Sequence, residues 1–349
     1  MNAASAQQQL RDMESPVVSP DRIVQLGLAF RAAKTLLSAA ELGVFTALAD
    51  GPLDLDALAK QVGVDQRGAR DFFDALVALG MLDRDASGRY ADTPATALYL
   101  DRRKPTYIGG ELEHFNAYVY PHWNLLTPAL RTGKPQSGAR ASGHYSALYA
   151  DRAALETLAK GMTGGTLPVA RALATKFPWR DFKTVIDIGT AQGCLPVEIA
   201  HAHAHLTGGG FDLPPMQPHF ESYARAHGLC ERLRFFAGDF LQDPLPAADV
   251  LVLGRILHNW DLATKHALLK KAYEALPAGG ALIVYERLID DDRRANAAAL
   301  LASLNMLIMT AGGFDFTGAD CIAWMRAAGF RDMRVEPLTS EHSMVVAMK

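Results

Sequence analysis

From Asp181 onward the sequence alternates two kinds of segment, and this rhythm limits the folds open to the chain. Short apolar runs, TVIDIG, TGGGFDL, LRFFAGD, DVLVLG and ALIVYE, are separated by longer runs with helical spacing around LPVEIAHAHA, MQPHFESYARAHG, LATKHALLKKAYEALP and NAAALLASLNMLIMT. Strands that are apolar throughout are covered on both faces, and strands joined by helices run parallel. The expectation is an α/β fold with a doubly wound sheet. The last two runs, FRDMRVEPL and SMVVAMK, are joined by a short turn, which predicts an antiparallel hairpin added at the sheet edge.

Upstream the pattern is different. Residues 1–21 are polar and read as a flexible arm. Residues 22–101 are mainly α, with the apolar-periodic segments IVQLGLAFRAAKTLLSAAELGVFTALA, LDLDALAKQVG and ARDFFDALVALGML; the following MLDRDASGRYADTP reads as two short strands around Asp85 to Gly88. A helical trio followed by a hairpin outlines a winged helix. Its third segment carries Asp71 and Asp74 beside Arg70, so as a groove reader it repels phosphate as much as it attracts it. Apolar surface such as IVQLGLAF exceeds what a small trio covers and points to burial against a second copy. Residues 102–180 read as a helical linker, through EHFNAYVYPHWNLLTPAL and DRAALETLAKGMTGGTLPVARALATKF, broken by RTGKPQSGARASGHYS. Residues 181–349 form the final domain.

Charge narrows the partners. With 35 basic and 38 acidic residues, a net charge of −3 and no block of one sign, nothing suits nucleic acid or an anionic membrane, and a small molecule is the expected partner. The start lacks a basic stretch followed by an apolar one, and no segment reaches about 18 uninterrupted apolar residues, so a cytoplasmic protein is expected. Cys194, Cys230 and Cys321 show no C-x-x-C spacing and read as buried or half-buried small apolar residues. In HAHAH, His201 and His205 share a helical face, but no carboxylate completes a metal set, so a solvated helix end is expected, as is an exposed His266; no metal is expected.

In an open parallel sheet the ligand lies beyond the carboxyl ends of the strands. Those ends collect Asp187 and Gly189, then Asp212, then Asp239, then Arg255 with His258, then Glu286. Asp212 can accept both hydroxyls of a ribose, while Asp239 and Phe240 suit an adenine amine and ring. A nicotinamide dinucleotide would use Asp212 in the same way, but VIDIGTAQG lacks the G-x-G-x-x-G that lets backbone approach a pyrophosphate.

The stretches VIDIGTAQG, GFDLP, AGDF, LHNWD, LPAGGALIVYE and AAGFRDMRV follow AAKTLLSAAELGVFTALADGPLDLDALAKQVGV and LVALGMLDRDASGRYADTP. In that order and spacing the sequence resembles the class I S-adenosylmethionine-dependent small-molecule O-methyltransferases, the group of plant phenolic, acetylserotonin and bacterial natural-product enzymes, over nearly the whole chain. The resemblance implies a Rossmann-like catalytic domain, a homodimer formed through the N-terminal domain, and S-adenosyl-L-methionine as cofactor, with S-adenosyl-L-homocysteine as product. By matching position it implicates Thr166, Gly189, Asp212, Leu213, Asp239, Phe240 and Arg255 in holding the cofactor, beside Asp187 at its strand end. S-adenosylmethionine has no phosphate, so the helix N-terminus receives less negative charge and fewer glycines suffice. The family more often has glycine where Thr190 and Ala191 stand.

Methyl transfer to oxygen requires that the hydroxyl lose its proton, and His258, just beyond the fourth strand, is placed for that task. Glu286 and Asp315 are the carboxylates that would back it. In the family both matching positions are usually glutamate, so Asp315 is one methylene short, and Asn259 replaces a common aspartate. The acceptor pocket is expected from Tyr118, His122, Trp123, Met162, Trp260, Asn305, Met306, Met309 and Phe314, which suit a flat, apolar, aromatic acceptor anchored by Asn305. The function expected is O-methylation of a hydroxylated aromatic in secondary metabolism. The alternatives are C-methylation of an enolisable 2-oxo acid or aromatic ring, cofactor binding without methyl transfer, and DNA-binding regulation.

Overall fold

The structure, a computed structural model, describes residues 18–137 and 152–349, so the expectations of an arm over 1–17 and of a break within 138–151 lie outside the described residues. The chain divides into two compact units, 1–93 and 94–349.

In the first unit, the helix Asp21–Leu42 ends at Gly43, whose left-handed φ of 72° starts a second helix, Val44–Leu48. The sequence pattern read as one helix is therefore two, because a glycine that takes positive φ without strain ends the ladder. Helices Leu55–Val62 and Gln66–Ala78 are each capped by an aspartate: Asp54 accepts the Ala57 N–H and Asp65 the Arg67 N–H. Strands β1 (Leu82–Arg84) and β2 (Tyr90–Asp92) form the expected antiparallel hairpin, and Asp85 accepts the Ser87 and Arg89 N–H groups in its turn. Phe45, Leu58, Phe73, Leu76 and Tyr90 fill the small core. Ile23, Leu26 and Phe30 remain 76%, 67% and 54% exposed, an uncovered apolar face on the first helix. That helix is long and apolar enough to cross a membrane by length and composition, although Arg22, Arg31, Lys34 and Glu41 interrupt it.

The second unit is built on a seven-stranded sheet. Its strands are β3 (Thr184–Ile188), β4 (Thr207–Asp212), β5 (Leu233–Ala237), β6 (Val250–Gly254), β7 (Ala281–Glu286), β8 (Arg331–Pro337) and β9 (Ser343–Met348), in the order β5-β4-β3-β6-β7-β9-β8. β3 to β7 are parallel, and β9 and β8 add antiparallel at the edge beyond β7, as the sequence pattern predicts. One face carries Ile186, Ile188, Leu251, Leu253, Leu282 and Val284 against Leu268 and Met325 of the helices Leu262–Ala275 and Gly318–Ala328. The other carries Val185, Val250, Val252 and Ile283 against Leu173 and Leu195 of the helices Arg152–Lys176 and Cys194–Ala202. Cover on both faces is why these strands are apolar throughout. The chain leaves β3 for β4 and β5 on one side, then returns to β6 on the other. This reversal opens a crevice above the carboxyl ends of β3 and β6.

Three histidine and cysteine expectations change. Cys194 and Cys321 are buried, but Cys230 is exposed. The helix carrying HAHAH stops at Ala202, so His201 and His205 do not share a helical face: His203 and His205 ring nitrogens lie 2.7 and 3.1 Å from the Ala174 and Trp179 carbonyl oxygens, and His201 lies 3.4 Å from the His227 ring nitrogen. His266 is half-buried, edge-on to Trp324, because the helix that carries it packs on Gly318–Ala328.

β4 can lie between its neighbours only because its first turn of chain lacks side chains. Gly208 and Gly209 take φ of 140° and 152°, and a Cβ at Gly209 would stand 1.8 Å from the Arg234 carbonyl oxygen of β5. Gly209→Ala is therefore expected to lower stability by at least about 3 kcal/mol, the range of severe backbone and packing defects, read as a melting temperature depressed by roughly 6 °C or more.

Candidate active site

The turn after β3 is made without the glycines of a dinucleotide loop. Ala191 takes a left-handed φ of 50°, a conformation that costs an ordinary residue roughly 1–2 kcal/mol. The Asp212 carboxylate, 6% exposed at the end of β4, holds that strained residue: Oδ2 accepts the Ala191 N–H at 2.9 Å and Oδ1 the Leu213 N–H at 2.8 Å. Helix Cys194–Ala202 starts directly after the turn. Asp187, within β3, is buried, and burial together with the neighbouring Asp212 charge pushes its carboxyl up to about 8.

A single cavity of about 1010 Å³ lies above these strand ends. Thr166, Asp187, Gly189, Asp212, Leu213, Asp239, Phe240 and Arg255 all line it, together with His258. Of the residues expected around an acceptor, Trp123, Met162, Trp260, Asn305, Met306 and Met309 also line it. Tyr118, His122 and Phe314 are not among the lining residues. Tyr118 and His122 pack on each other with ring centroids 4.8 Å apart, and His122 Nδ1 lies 2.6 Å from the Tyr118 carbonyl oxygen, so one helix turn uses them internally. Phe314 lies over the ammonium of Lys265.

Several lining residues carry no sequence signal. His114, Phe115 and Val119 reach the cavity through a π-helical turn, Phe115–Val119, whose extra residue per turn redirects the side chains. Thr163, Leu301, Arg287 and Glu341 join them from elements far apart in the chain. Trp123 donates its indole N–H to Asn305 Oδ1 at 3.0 Å across 182 residues, fixing the Asn305 amide. Arg255, at a left-handed φ of 57°, places Nη2 3.4 Å from Glu111 Oε1, while its buried Nε and Nη1 have no hydrogen-bond partner among the described residues. A buried guanidinium with open donors is completed by an anionic group entering the cavity.

His258 sits in the tight turn Leu257–Asn259 after β6. Its Nδ1 is 3.1 Å from Glu286 Oε2 and 3.4 Å from Asp315 Oδ1, and both acid side chains are only 1% exposed. Its backbone N–H donates to Glu286 Oε1 at 3.3 Å. The three groups lie within 4.8 Å of one another, and Nδ1 stands at ion-pair distance from both acids. Burial lowers the proton affinity of the ring, but Glu286 and Asp315 outweigh it, so the His258 pKa is raised. Burial in turn pushes Glu286 up to about 7 against the pull of His258. With Nδ1 engaged, Nε2 is the nitrogen left for a ligand. Asn259 donates to the carbonyls of Arg255 and Ile256 at 3.1 and 3.3 Å, closing the turn with an N–H that the family's usual aspartate lacks.

Comparison with known proteins agrees with this geometry. Residues 123–331 match the O-methyltransferase domain and residues 24–102 the O-methyltransferase dimerisation domain. The chain is 41% identical over 333 residues, 95% of its length and 98% of the relative's, to the tetracenomycin polyketide synthesis 8-O-methyl transferase TcmO of Streptomyces glaucescens. It is 37% identical to the N,N-dimethyltransferase OxyT of Streptomyces rimosus, covering 92% of this chain and 94% of that one. Human N-acetylserotonin methyltransferase in complex with SAM superposes with a TM-score of 0.88 at 28% identity, covering 97% of this chain and 99% of that one. The chain belongs to the O-methyltransferase family, enzymes that take their methyl group from S-adenosylmethionine. The donor set fits that cofactor: carboxylates for its hydroxyls and amines, and the open Arg255 donors for its one carboxylate.

Asp187 makes the ligand-free protein pH-sensitive. Its folded pKa stands above its ordinary value of 3.8, so the stability it contributes is complete below that value and is lost as pH rises toward about 8. Asp187→Asn removes this loss, and its melting temperature relative to the parent is expected to rise progressively between about pH 5 and pH 8.

Proposed function

We propose that this O-methyltransferase methylates a phenolic hydroxyl on a polycyclic aromatic molecule, with His258 as the general base. The observation that carries the reading is that a carboxylate-backed imidazole and a row of strand-end acids line one cavity. S-adenosylmethionine supplies an electrophilic methyl group on a positively charged sulfur. Asp212 accepts the ribose hydroxyls beside the Leu213 backbone, Asp239 and Phe240 take the adenine, and Arg255 binds the amino-acid carboxylate. Gly189 keeps the turn open to the cofactor, Asp187 lines the cavity beside it, and Thr166 borders the methionyl end.

His258 Nε2 takes the proton of the acceptor hydroxyl as the oxygen attacks. Glu286 and Asp315 hold Nδ1–H, fix the tautomer and stabilise the imidazolium that forms. Trp123, Met162, Trp260, Met306 and Met309 give the acceptor flat apolar walls, and Asn305 hydrogen-bonds a polar substituent on it. A cavity of about 1010 Å³ accommodates the donor and a multi-ring acceptor together, at the upper end of small-molecule sites. Similarity to TcmO, and to a 3-hydroxy-5-methyl-1-naphthoate 3-O-methyltransferase of Streptomyces sahachiroi at 32% identity, supports a fused-ring phenol from secondary metabolism. We read the protein as a cytoplasmic homodimer with a small-molecule partner and neither nucleic acid nor membrane as ligand. The uncovered face of Ile23, Leu26 and Phe30 supports self-association.

Hydroxynaphthalenes and hydroxyanthraquinones, incubated with methyl-labelled S-adenosylmethionine, test the acceptor class, and the label is expected on oxygen. Label on carbon, or no transfer to any of these phenols, would overturn the reading. His258→Ala is expected to lower kcat by about 10²–10⁴-fold while calorimetry finds cofactor affinity within a few fold of the parent. Phe30→Glu is expected to convert the dimer to monomer in light scattering.

A further inference from the structure

Lys265, in the first turns of the helix Leu262–Ala275, is completely buried, which is rare for lysine. Its Nζ donates to the Trp260 carbonyl at 2.5 Å and lies 3.4 Å from the centroid of the Phe314 ring, with the Phe316 and Trp324 rings at 5.6 and 5.9 Å. Trp260 stands two residues after His258, and Phe314 one residue before Asp315. One ammonium therefore touches both segments whose spacing sets the contact between His258 Nδ1 and Asp315. The segments are also pressed together: a Cβ on Gly313 would stand 2.5 Å from the His258 carbonyl oxygen. A cation over an aromatic face, shielded from water, is a strong and directional tie.

Charge points the same way. The groups facing this region are His258, Glu286, Asp315 and Asp261, with Arg255 acting on His258 and Glu286, and buried Cys321 beside Glu286. Two buried acids facing one imidazole form an arrangement with too little positive charge, and Lys265 supplies more of it. Burial lowers its pKa to about 8, while Glu286, Asp315 and Asp261 hold it up, so it remains largely charged at neutral pH.

We propose that Lys265 is a positioning residue for methyl transfer: its ammonium joins the Trp260 carbonyl to the Phe314 ring and so holds Asp315 against His258. This rests on the reading of His258 as the base. Lys265→Met keeps the aliphatic volume and removes the charge and the donor. In this variant kcat for a hydroxyanthraquinone acceptor is expected to fall at least about tenfold, with the KM for S-adenosylmethionine within about twofold. The acid limb of the kcat profile moves to higher pH, because without the ammonium the buried acids take up protons earlier as pH falls and His258 loses its backing. Lys265→Arg, which keeps the charge, leaves that limb in place.

A measurement without acceptor decides the case separately. The His258 Nδ1–H proton, identified in the S-adenosylhomocysteine complex as the downfield NMR signal missing from His258→Ala, is expected to shift or broaden in Lys265→Met. Should that variant not fold, Phe314→Leu removes the ring and is expected to move the same signal and the same limb to a smaller extent. An unmoved signal together with an unmoved acid limb in a folded variant overturns the proposal. Full transfer by His258→Ala overturns the base reading instead and leaves the NMR result to judge Lys265.

Discussion

The site depends on one crowded contact: two carboxylates with almost no access to water face the same imidazole nitrogen. Neither acid can be ionised there at low cost without positive charge, and the imidazole answers that need only by standing with Nδ1 3.1 and 3.4 Å from the two of them. The surroundings answer that demand. Glu286 ends a fully buried strand, Asp315 comes from a segment pressed onto the His258 backbone, and Lys265 lies behind them in an aromatic enclosure. An imidazole so placed faces its two acids before any ligand arrives, the arrangement that the proposed role of His258 as general base would use.

The cofactor side follows a different physical logic. The parallel sheet reverses direction between β3 and β6, so the strand ends on either side of the reversal open into a common crevice. Asp212 is both part of that crevice and a brace for its loop, because it bonds the backbone N–H of Ala191. This dual use explains how a turn with alanine at positive φ persists where glycine is commoner in the family. The carboxylate that would greet the ribose also holds the loop in shape.

Much of the fold was legible in local pattern. The runs TVIDIG, DVLVLG and ALIVYE place apolar residues on both faces because helices cover both, and Gly208 and Gly209 of TGGGFDL lie where neighbouring carbonyls leave no room for a side chain. Asp187, Asp212, Asp239, Arg255 and His258 could be collected from the sequence because a parallel sheet brings successive strand ends to one edge. The cavity lining away from the strand ends was read less well. Tyr118 and His122 have suitable chemistry, yet they pack on one another, and the π-helical turn beside them brings His114, Phe115 and Val119 to the cavity instead. A single extra residue in a helical turn leaves no trace in hydrophobic periodicity.

By itself the sequence determined the succession of strands and helices, the edge hairpin and the acids at the strand ends. Those depend on period-2 and period-3.6 patterning and on turn chemistry, which act over a few residues. Only the tertiary structure decided that Asn305 meets Trp123 across 182 residues, that His201 faces His227 rather than His205, and that Lys265 is buried under Phe314 beside Asp315. Such contacts arise from packing between distant segments, where burial and charge balance are properties of the assembled core and of no single stretch of chain.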